Sequence, residues 1–417
     1  MKQTVKVGMI GVGARGETLL ATIFGLDRND ALVTAICDID QKRIDRILEI
    51  MKEHDYPTPL VFTDYKELIA SDQVDAVLIP TSWNSHLRIA EEAMKNGKYA
   101  GIEVGGASSL DELWHLVRAA ESTGVSCMML ENCCYGRNEL LCLNLARKGL
   151  FGELIHCECG YEHTLSEMAR ADGRRAEREV HNFRRNGDLY PTHGIGPVAK
   201  ILRINRGNRF MTLTSTASKG RGFMLEAERS GRGQMFYAAG DVVTTVIKCA
   251  NGETVTMTHC VSLPRPYTRD LRVQGTKGIF LEDAKSVHIE GISTVREEID
   301  VAGNPYTVHD WTPVADVYEK YDHPIWKTYK DQIIGGHGGM DGLILQAFFD
   351  AVRNRTTPPI DVYDCAAWMA ITCLSEESIA MGGAPVAFPD FTDGKWIYEG
   401  WGAKGKWALD EVEEEQE

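Results

Sequence analysis

The segment Gly11-Val12-Gly13-Ala14-Arg15-Gly16 lies between an apolar run, Val5–Ile10, and a helical pattern, and Asp38 closes a second apolar run 22 residues past Gly16. That order prescribes a strand, a tight turn and a helix. The glycines permit the turn, let the backbone come close to a pyrophosphate and let the helix pack on the strand. The helix start adds N–H groups and a partial positive charge suited to a phosphate. Asp38 can accept hydrogen bonds from a ribose 2′-hydroxyl and would repel a 2′-phosphate, so the implied cofactor is NAD rather than NADP. Gly11, Gly13, Ala14, Arg15, Gly16 and Asp38 are its candidate ligands.

Further strand-like runs recur at Ala31–Cys37, 59–62, 74–80, 98–103 and 124–130, with helical patterns between them. Alternation of this kind builds a doubly wound parallel sheet, an α/β Rossmann domain whose ligands lie past the carboxyl ends of the strands. The segments Pro80-Thr81-Ser82-Trp83-Asn84-Ser85-His86, Glu103-Val104 and Glu131-Asn132 fall there. After a helix near 137–148 the texture changes to long β-rich runs at 154–163, 211–218, 242–262, 271–281 and 286–290. These predict a second, α+β domain with a large, mainly antiparallel sheet. Asn251-Gly252 predicts a two-residue hairpin turn. Helices are expected over 196–202, 340–353 and 364–381, the last two returning toward the first domain. The expected boundaries are 1–135, 136–400 and an acidic tail, 401–417, with six acids among residues 410–417.

A chain of 417 residues, 43% hydrophobic, has material for two such domains, and its formal net charge of −15 provides no basic footprint for nucleic acid or an anionic membrane. Eleven scattered cysteines lack a secreted disulfide pattern, and no apolar run reaches membrane-spanning length. The first strand leaves no room for a leader, so the expectation is a cytoplasmic protein, homo-oligomeric (dimer or tetramer) through exposed strand edges. Arg170, Arg174, Arg175, Arg178, Arg184 and Arg185, interrupted by Asp172, Glu177 and Glu179, read as a solvated surface segment.

The richest chemistry lies in Asn186-Gly187-Asp188-Leu189-Tyr190-Pro191-Thr192-His193-Gly194-Ile195-Gly196-Pro197. Its glycines and prolines predict an irregular turn that presents Tyr190 and His193 together before a helix begins. A histidine titrates near neutrality and a phenol beside a cation can exchange a proton, so the pair is a candidate acid and base. The residues alone equally allow a turn in which both merely satisfy backbone groups. Period-two alternation puts Cys157, Cys159, Tyr161 and His163 on one strand face, but no matching cysteine pair stands nearby and no metal is expected. Cys133-Cys134 read as small buried hydrophobes. His337 falls in the glycine-rich segment 335–339, read as a flexible loop.

Taken together, the glycine loop, Asp38, 80–86, Glu103 and His193 resemble the glucose–fructose oxidoreductase, inositol dehydrogenase and MocA family over essentially the whole chain. Dehydrogenases of that family carry Glu-Lys-Pro after the fifth strand, whereas this chain reads Glu103-Val104-Gly105. It also has Tyr190 before His193 where they have an aspartate. Both departures resemble the NAD-dependent glycosidases of glycoside hydrolase family 109, known for removing α-linked N-acetylgalactosamine. Trp83-Asn84-Ser85-His86, Gly160-Tyr161-Glu162-His163, Pro264-Arg265-Pro266-Tyr267 and His337-Gly338-Gly339-Met340-Asp341 agree with it as well.

That resemblance implies NAD contacts from Arg15, Gly16, Asp38, Trp83, His86, Glu103, Val104 and Asn132, and a sugar site lined by Tyr161, Arg178, Tyr190, Pro191, Thr192, His193 and Tyr267, placed between the domains. Arg178 departs from the pattern in lacking the usual preceding Trp, and Gly105 stands where that family generally has Pro. The implied activity is cleavage of an N-acetylhexosaminide or related glycoside by transient oxidation at C3, with Tyr190 and His193 moving protons. Two alternatives stay open: a conventional NAD-dependent sugar or inositol dehydrogenase, and a noncatalytic NAD- or sugar-binding regulator.

Overall fold

A computed structural model describes residues 3–170 and 177–412. Arg174, Arg175 and Asp172 of the arginine-rich stretch, and 413–417 of the acidic tail, lie outside the described residues. The chain divides into two compact units, Met1–Tyr135 with Tyr329–Cys373 and Pro389–Asp410, and Gly136–Thr328 with Leu374–Phe388 and Glu411–Glu417.

The first unit holds a six-stranded parallel sheet. Its strands are β1 (Val5–Ile10), β2 (Ala31–Cys37), β3 (Leu60–Phe62), β4 (Ala76–Ile79), β5 (Tyr99–Ile102) and β6 (Cys127–Met129), in the order β3-β2-β1-β4-β5-β6. The order reverses at β1, and the crevice at that switch point is where such sheets take nucleotides. β4 is buried at every residue, as expected of a strand covered on both faces. Helix Ala14–Phe24 buries Leu19, Leu20 and Ile23, each contributing roughly 1.5–3 kcal/mol by leaving water. Helix Leu110–Thr123 starts in a capping box between Ser109 and Glu112 and ends at Gly124 in the left-handed conformation. Helix Met340–Asn354 also packs in this unit, where the ring of Phe348 occupies the space beside Gly101 on β5.

The second unit holds β7 (Leu154–Glu162), β8 (Phe210–Ala217), β9 (Val243–Cys249), β10 (Thr254–Cys260), β11 (Arg272–Gly275), β12 (Gly278–Leu281), β13 (Ser286–Ile289), a separate hairpin of β14 (Val295–Ile299) and β15 (Pro305–His309), then β16 (Thr312–Pro313) and β17 (Val386–Ala387). Apart from that hairpin they form one sheet, ordered β16-β13-β12-β11-β7-β10-β9-β8-β17, antiparallel except where β7 pairs with β10. Alternate residues of β9 are buried and exposed along its length, so one face is packed and the other open. Helices Arg137–Arg147 and Thr192–Ile201 contact each other, and the second also contacts β7.

Three local expectations are corrected. The 251–252 turn is a three-residue loop, because Cys249 N–H bonds to Glu253 and only Gly252, with φ +107°, takes a positive φ. Such loops place glycine last. The run 271–281 is two strands, β11 and β12. The helix expected over 196–202 begins at Thr192, so His193 lies in its first turn rather than before it.

Among the described residues no helix is long and apolar enough to cross a membrane.

Candidate functional site

In the first unit the glycine loop is held from both sides. Gly11 N–H donates to the Cys37 carbonyl at 2.8 Å, and Val12 N–H donates to Asp38 Oδ2 at 2.9 Å. Gly11 has φ +95°, and a Cβ there would meet Thr81 at 2.9 Å. A Cβ on Gly16 would lie 2.3 Å from the Gly11 carbonyl oxygen, so only glycine lets the helix start fold back on its own turn. Gly13 opens helix Ala14–Phe24 with no side-chain cap, which leaves the first turn suited to an anion. Asp38 is buried at the end of β2, and Arg43 Nη1 lies 3.7 Å from its Oδ2. These features fit a dinucleotide: close backbone approach, a helix start without a side-chain cap and an acid at the second strand's end.

The other residues assigned to the cofactor follow the remaining strands. Trp83 is buried, and a Cβ on Gly105 would lie 2.6 Å from its indole. The glycine thus admits the ring where the related pattern has proline. His86 opens helix His86–Lys95 and is fully buried, and Val104 is buried after β5. Glu103 accepts from Arg15 Nε at 2.8 Å. Asn132 Nδ2 donates to Asp341 Oδ1 at 2.7 Å, and Arg15 donates to both Asp341 oxygens, at 2.9 and 3.1 Å. Asp341 was visible in the sequence only as part of a motif. Burial alone would raise its carboxyl, but the bonds from His337 and Arg15 hold it well below the usual carboxylate range.

In the second unit the sugar-site candidates form an aromatic cluster around one cation. Helix Thr192–Ile201 reaches β7 because two glycines face each other, a Cβ on Gly194 falling 2.9 Å from Gly160 N. That contact brings the rings of Tyr161 and His193 to 5.4 Å, and Tyr190 stands edge-on to His193 at 4.9 Å. Arg178 Nη2 donates to the Tyr190 phenol oxygen at 2.8 Å and Nη1 to that of Tyr161 at 3.3 Å. The His163 Nε2 to Tyr161 Oη distance is 2.8 Å. Tyr267, half exposed, is edge-on to His163 at 5.3 Å. Pro191 precedes the first residue of the helix, Thr192, which is fully buried.

The reading of the arginines as a solvated segment is corrected for two of them: Arg178 carries these bonds and Arg185 holds Glu376 with two 2.7 Å bonds, whereas Arg184 is exposed and Arg170, also exposed, pairs with Glu226.

Sequence reasoning passed over His259 and Asp188. His259 on β10 stacks with Tyr161 at 6.4 Å, and burial, with help from Arg178 and His163, brings it down to about 4. His163 is lowered by burial and by Arg178. Burial and the Arg178 cation thus favour the neutral form of both rings. Asp188, buried, accepts from Tyr190 N–H at 3.2 Å and donates its own N–H to Ser375 Oγ at 2.9 Å; burial pushes its carboxyl up to about 7. In the sequence these looked like an ordinary strand residue and a turn-forming acid. Cys157 and Cys159 are buried thiols, and burial pushes both upward.

Comparison with known proteins follows the same division. Residues 5–131 match the family described as "Oxidoreductase family, NAD-binding Rossmann fold", and residues 135–398 match "Glycosyl hydrolase 109, C-terminal domain". An α-N-acetylgalactosaminidase of Tannerella forsythia is 41% identical over 424 residues, covering 94% of this chain and 87% of that protein. A glycosyl hydrolase family 109 protein of Parabacteroides distasonis is 39% identical over 425 residues, covering 94% and 88%. A levoglucosan dehydrogenase solved with NADH and levoglucosan superposes with a TM-score of 0.66 at 18% identity, covering 93% of this chain and 100% of that one, a likeness of fold. The cofactor of the first unit is NAD.

Proposed function

The chain belongs to glycosyl hydrolase family 109, and on that premise we propose that it is an NAD-dependent glycosidase cleaving α-linked N-acetylgalactosaminides or closely related N-acetylhexosaminides. NAD, when bound, supplies a hydride acceptor for C3 of the sugar and the donor that restores it, so no net oxidation accumulates. Arg15, Asp38, Trp83, His86, Glu103, Val104 and Asn132, with Gly11, Gly13, Ala14 and Gly16 of the loop, are the residues that would hold it.

The forward half moves three protons, one leaving the C3 hydroxyl as its hydride departs, one leaving C2 and one reaching the departing glycosidic oxygen; addition of water and return of the hydride restore the first two. We assign these transfers to Tyr190 Oη and His193, flanked by Tyr161, Arg178, Pro191, Thr192 and Tyr267 as the walls of the sugar site. The observation that carries this reading is the Arg178–Tyr190 bond beside His193. Arg178 donates to the phenol oxygen, and its cation offsets the negative charge that loss of the phenol proton leaves. Glu103-Val104-Gly105 offers no lysine to accept a hydroxyl proton for steady alcohol oxidation.

Support for a cytoplasmic homo-oligomer comes from eleven free cysteines and from the outward side of the nine-stranded sheet, where Thr244 and Val246 are exposed.

The test is release of nitrophenol from nitrophenyl α-N-acetylgalactosaminide by the purified protein without added nucleotide, in deuterated water. Expected are turnover and deuterium at C2 of the product. In a parallel assay with NAD added, steady NADH formation with the glycosidic bond intact would overturn the proposal in favour of a dehydrogenase.

A further inference from the structure

Arg15 after β1, Glu103 after β5 and Asn132 after β6 come from three separate strand ends, and all three are tied to one network. Asp341, the second residue of helix Met340–Asn354, is fully buried and accepts from Arg15 Nη1 at 2.9 Å, Arg15 Nη2 at 3.1 Å and Asn132 Nδ2 at 2.7 Å, with His337 Nδ1 2.9 Å from Oδ2. Four donors are about as many as a carboxylate can serve. Arg15 spends its remaining edge on Glu103, so its fork is stretched between two acids and has one geometry available.

The segment before Asp341 is shaped to leave room for this. Gly335, His337, Gly338 and Gly339 all have positive φ. A Cβ on Gly336 would come 2.9 Å from Asp341 Oδ2, and one on Gly335 would come 2.4 Å from Thr22 in helix Ala14–Phe24. A non-glycine residue in the left-handed region carries strain that surrounding contacts must compensate, and His337 is anchored by the Asp341 carboxylate. The glycine-rich stretch is thus a strap that packs at Gly335 on Thr22 of the nucleotide-loop helix.

We propose that Asp341 is the positioning residue of the NAD site: it holds Arg15 and Asn132 in cofactor-binding geometry from outside the Rossmann strands. This rests on the reading that Arg15, Glu103 and Asn132 contact NAD. Asp341 touches no reacting atom, so its loss is felt in cofactor affinity and not in proton transfer once NAD is bound.

The full chain, stripped of nucleotide, is titrated with NAD by tryptophan fluorescence, and glycoside turnover is measured at saturating NAD. Asp341→Asn is expected to weaken NAD binding about 10–100-fold, the worth of charge-assisted hydrogen bonds, with saturated turnover within about twofold of wild type. Unchanged affinity in Asp341→Asn, while Arg15→Ala or Asn132→Ala binds NAD weakly, overturns the proposal and leaves the underlying site reading intact. Wild-type affinity in all three overturns that reading too. Saturated turnover falling together with thermal stability assigns Asp341 a purely structural role and also overturns the proposal. Should Asp341→Asn fail to fold, Arg15→Lys decides: it keeps the charge but cannot bridge Glu103 and Asp341, and wild-type NAD affinity in it sinks the idea.

Discussion

Arg178 donates to the phenol oxygen of Tyr190 at 2.8 Å while its guanidinium carbon lies 4.2 Å from the centre of the same ring. The cation both hydrogen-bonds the hydroxyl and covers part of the π-face, an arrangement that a planar fork can make and an ammonium cannot. Arg178→Lys is therefore expected to lower glycoside turnover about 10²-fold, near the low end for a mispositioned acid or base, with the fold retained by circular dichroism. Turnover within a factor of two of wild type would remove this contact from catalysis.

His193→Ala should cost more than loss of the neighbouring aromatic surface. The imidazole is edge-on to Tyr190 and 5.4 Å from the Tyr161 ring, so it is placed to share a proton path with the phenol. Expected is a fall in turnover of about 10²–10⁴-fold, checked by initial rates on a nitrophenyl glycoside.

How far the sequence could be read depended on how far apart the partners lie. The glycine loop, β1, β2 and Asp38 were legible because turn, strand and acid are set by local spacing, and β1 and β2 run over Val5–Ile10 and Ala31–Cys37 as expected. The start of the helix at Thr192 was missed because Gly194, Gly196 and Pro197 read as breakers. Here Gly194 serves close packing on Gly160 instead of a turn. Asp341 was hidden for another reason: it meets Arg15 across 326 positions. His259 looked like an ordinary polar residue on a half-buried strand, and only the tertiary pairing of β7 with β10 places it opposite Tyr161.

Asp188 should make the protein more stable when its charge is removed. Its carboxyl is buried and raised to about 7 from an ordinary value of 3.8. Below the ordinary value folded and unfolded states are both protonated. As pH rises from there toward 7 the unfolded state ionises first, so folding loses stability over that window. Asp188→Asn, which has no charge to bury, should then show a melting temperature above wild type at pH 8 and close to it at pH 4. A variant that is destabilised equally at both would indicate that the Tyr190 N–H bond outweighs the cost of burying the charge.

Gly105 makes a prediction about the cofactor site that needs no catalysis. A Cβ at this position would stand 2.6 Å from the Trp83 indole, and a rigid, buried ring cannot step aside as a flexible chain end can. Gly105→Ala should cost about 1–3 kcal/mol, the usual penalty for overpacking, and should displace Trp83 enough to alter its fluorescence on NAD addition. Trp83→Phe in the same background is expected to recover part of the loss, since the smaller ring leaves the space the methyl needs. Additive costs in the double variant would show that the two positions do not compete for one volume.

His337 supplies the pH dependence of the strap. Its hydrogen bond to Asp341 raises it above the ordinary 6.5, with burial and Arg15 opposing and Glu103 assisting. A raised histidine contributes stability that is fully present below 6.5 and is lost as pH climbs through the higher folded value. The side chain is half exposed, 54%, so solvent screening keeps the contribution below about 1 kcal/mol. Thermal melts of wild type and His337→Ala should therefore differ most near pH 5.5, where the charged imidazole faces the Asp341 carboxylate, and should converge by pH 9. A gap that widens with rising pH would mean that the neutral ring is the one the strap prefers, contrary to the charge balance at Asp341.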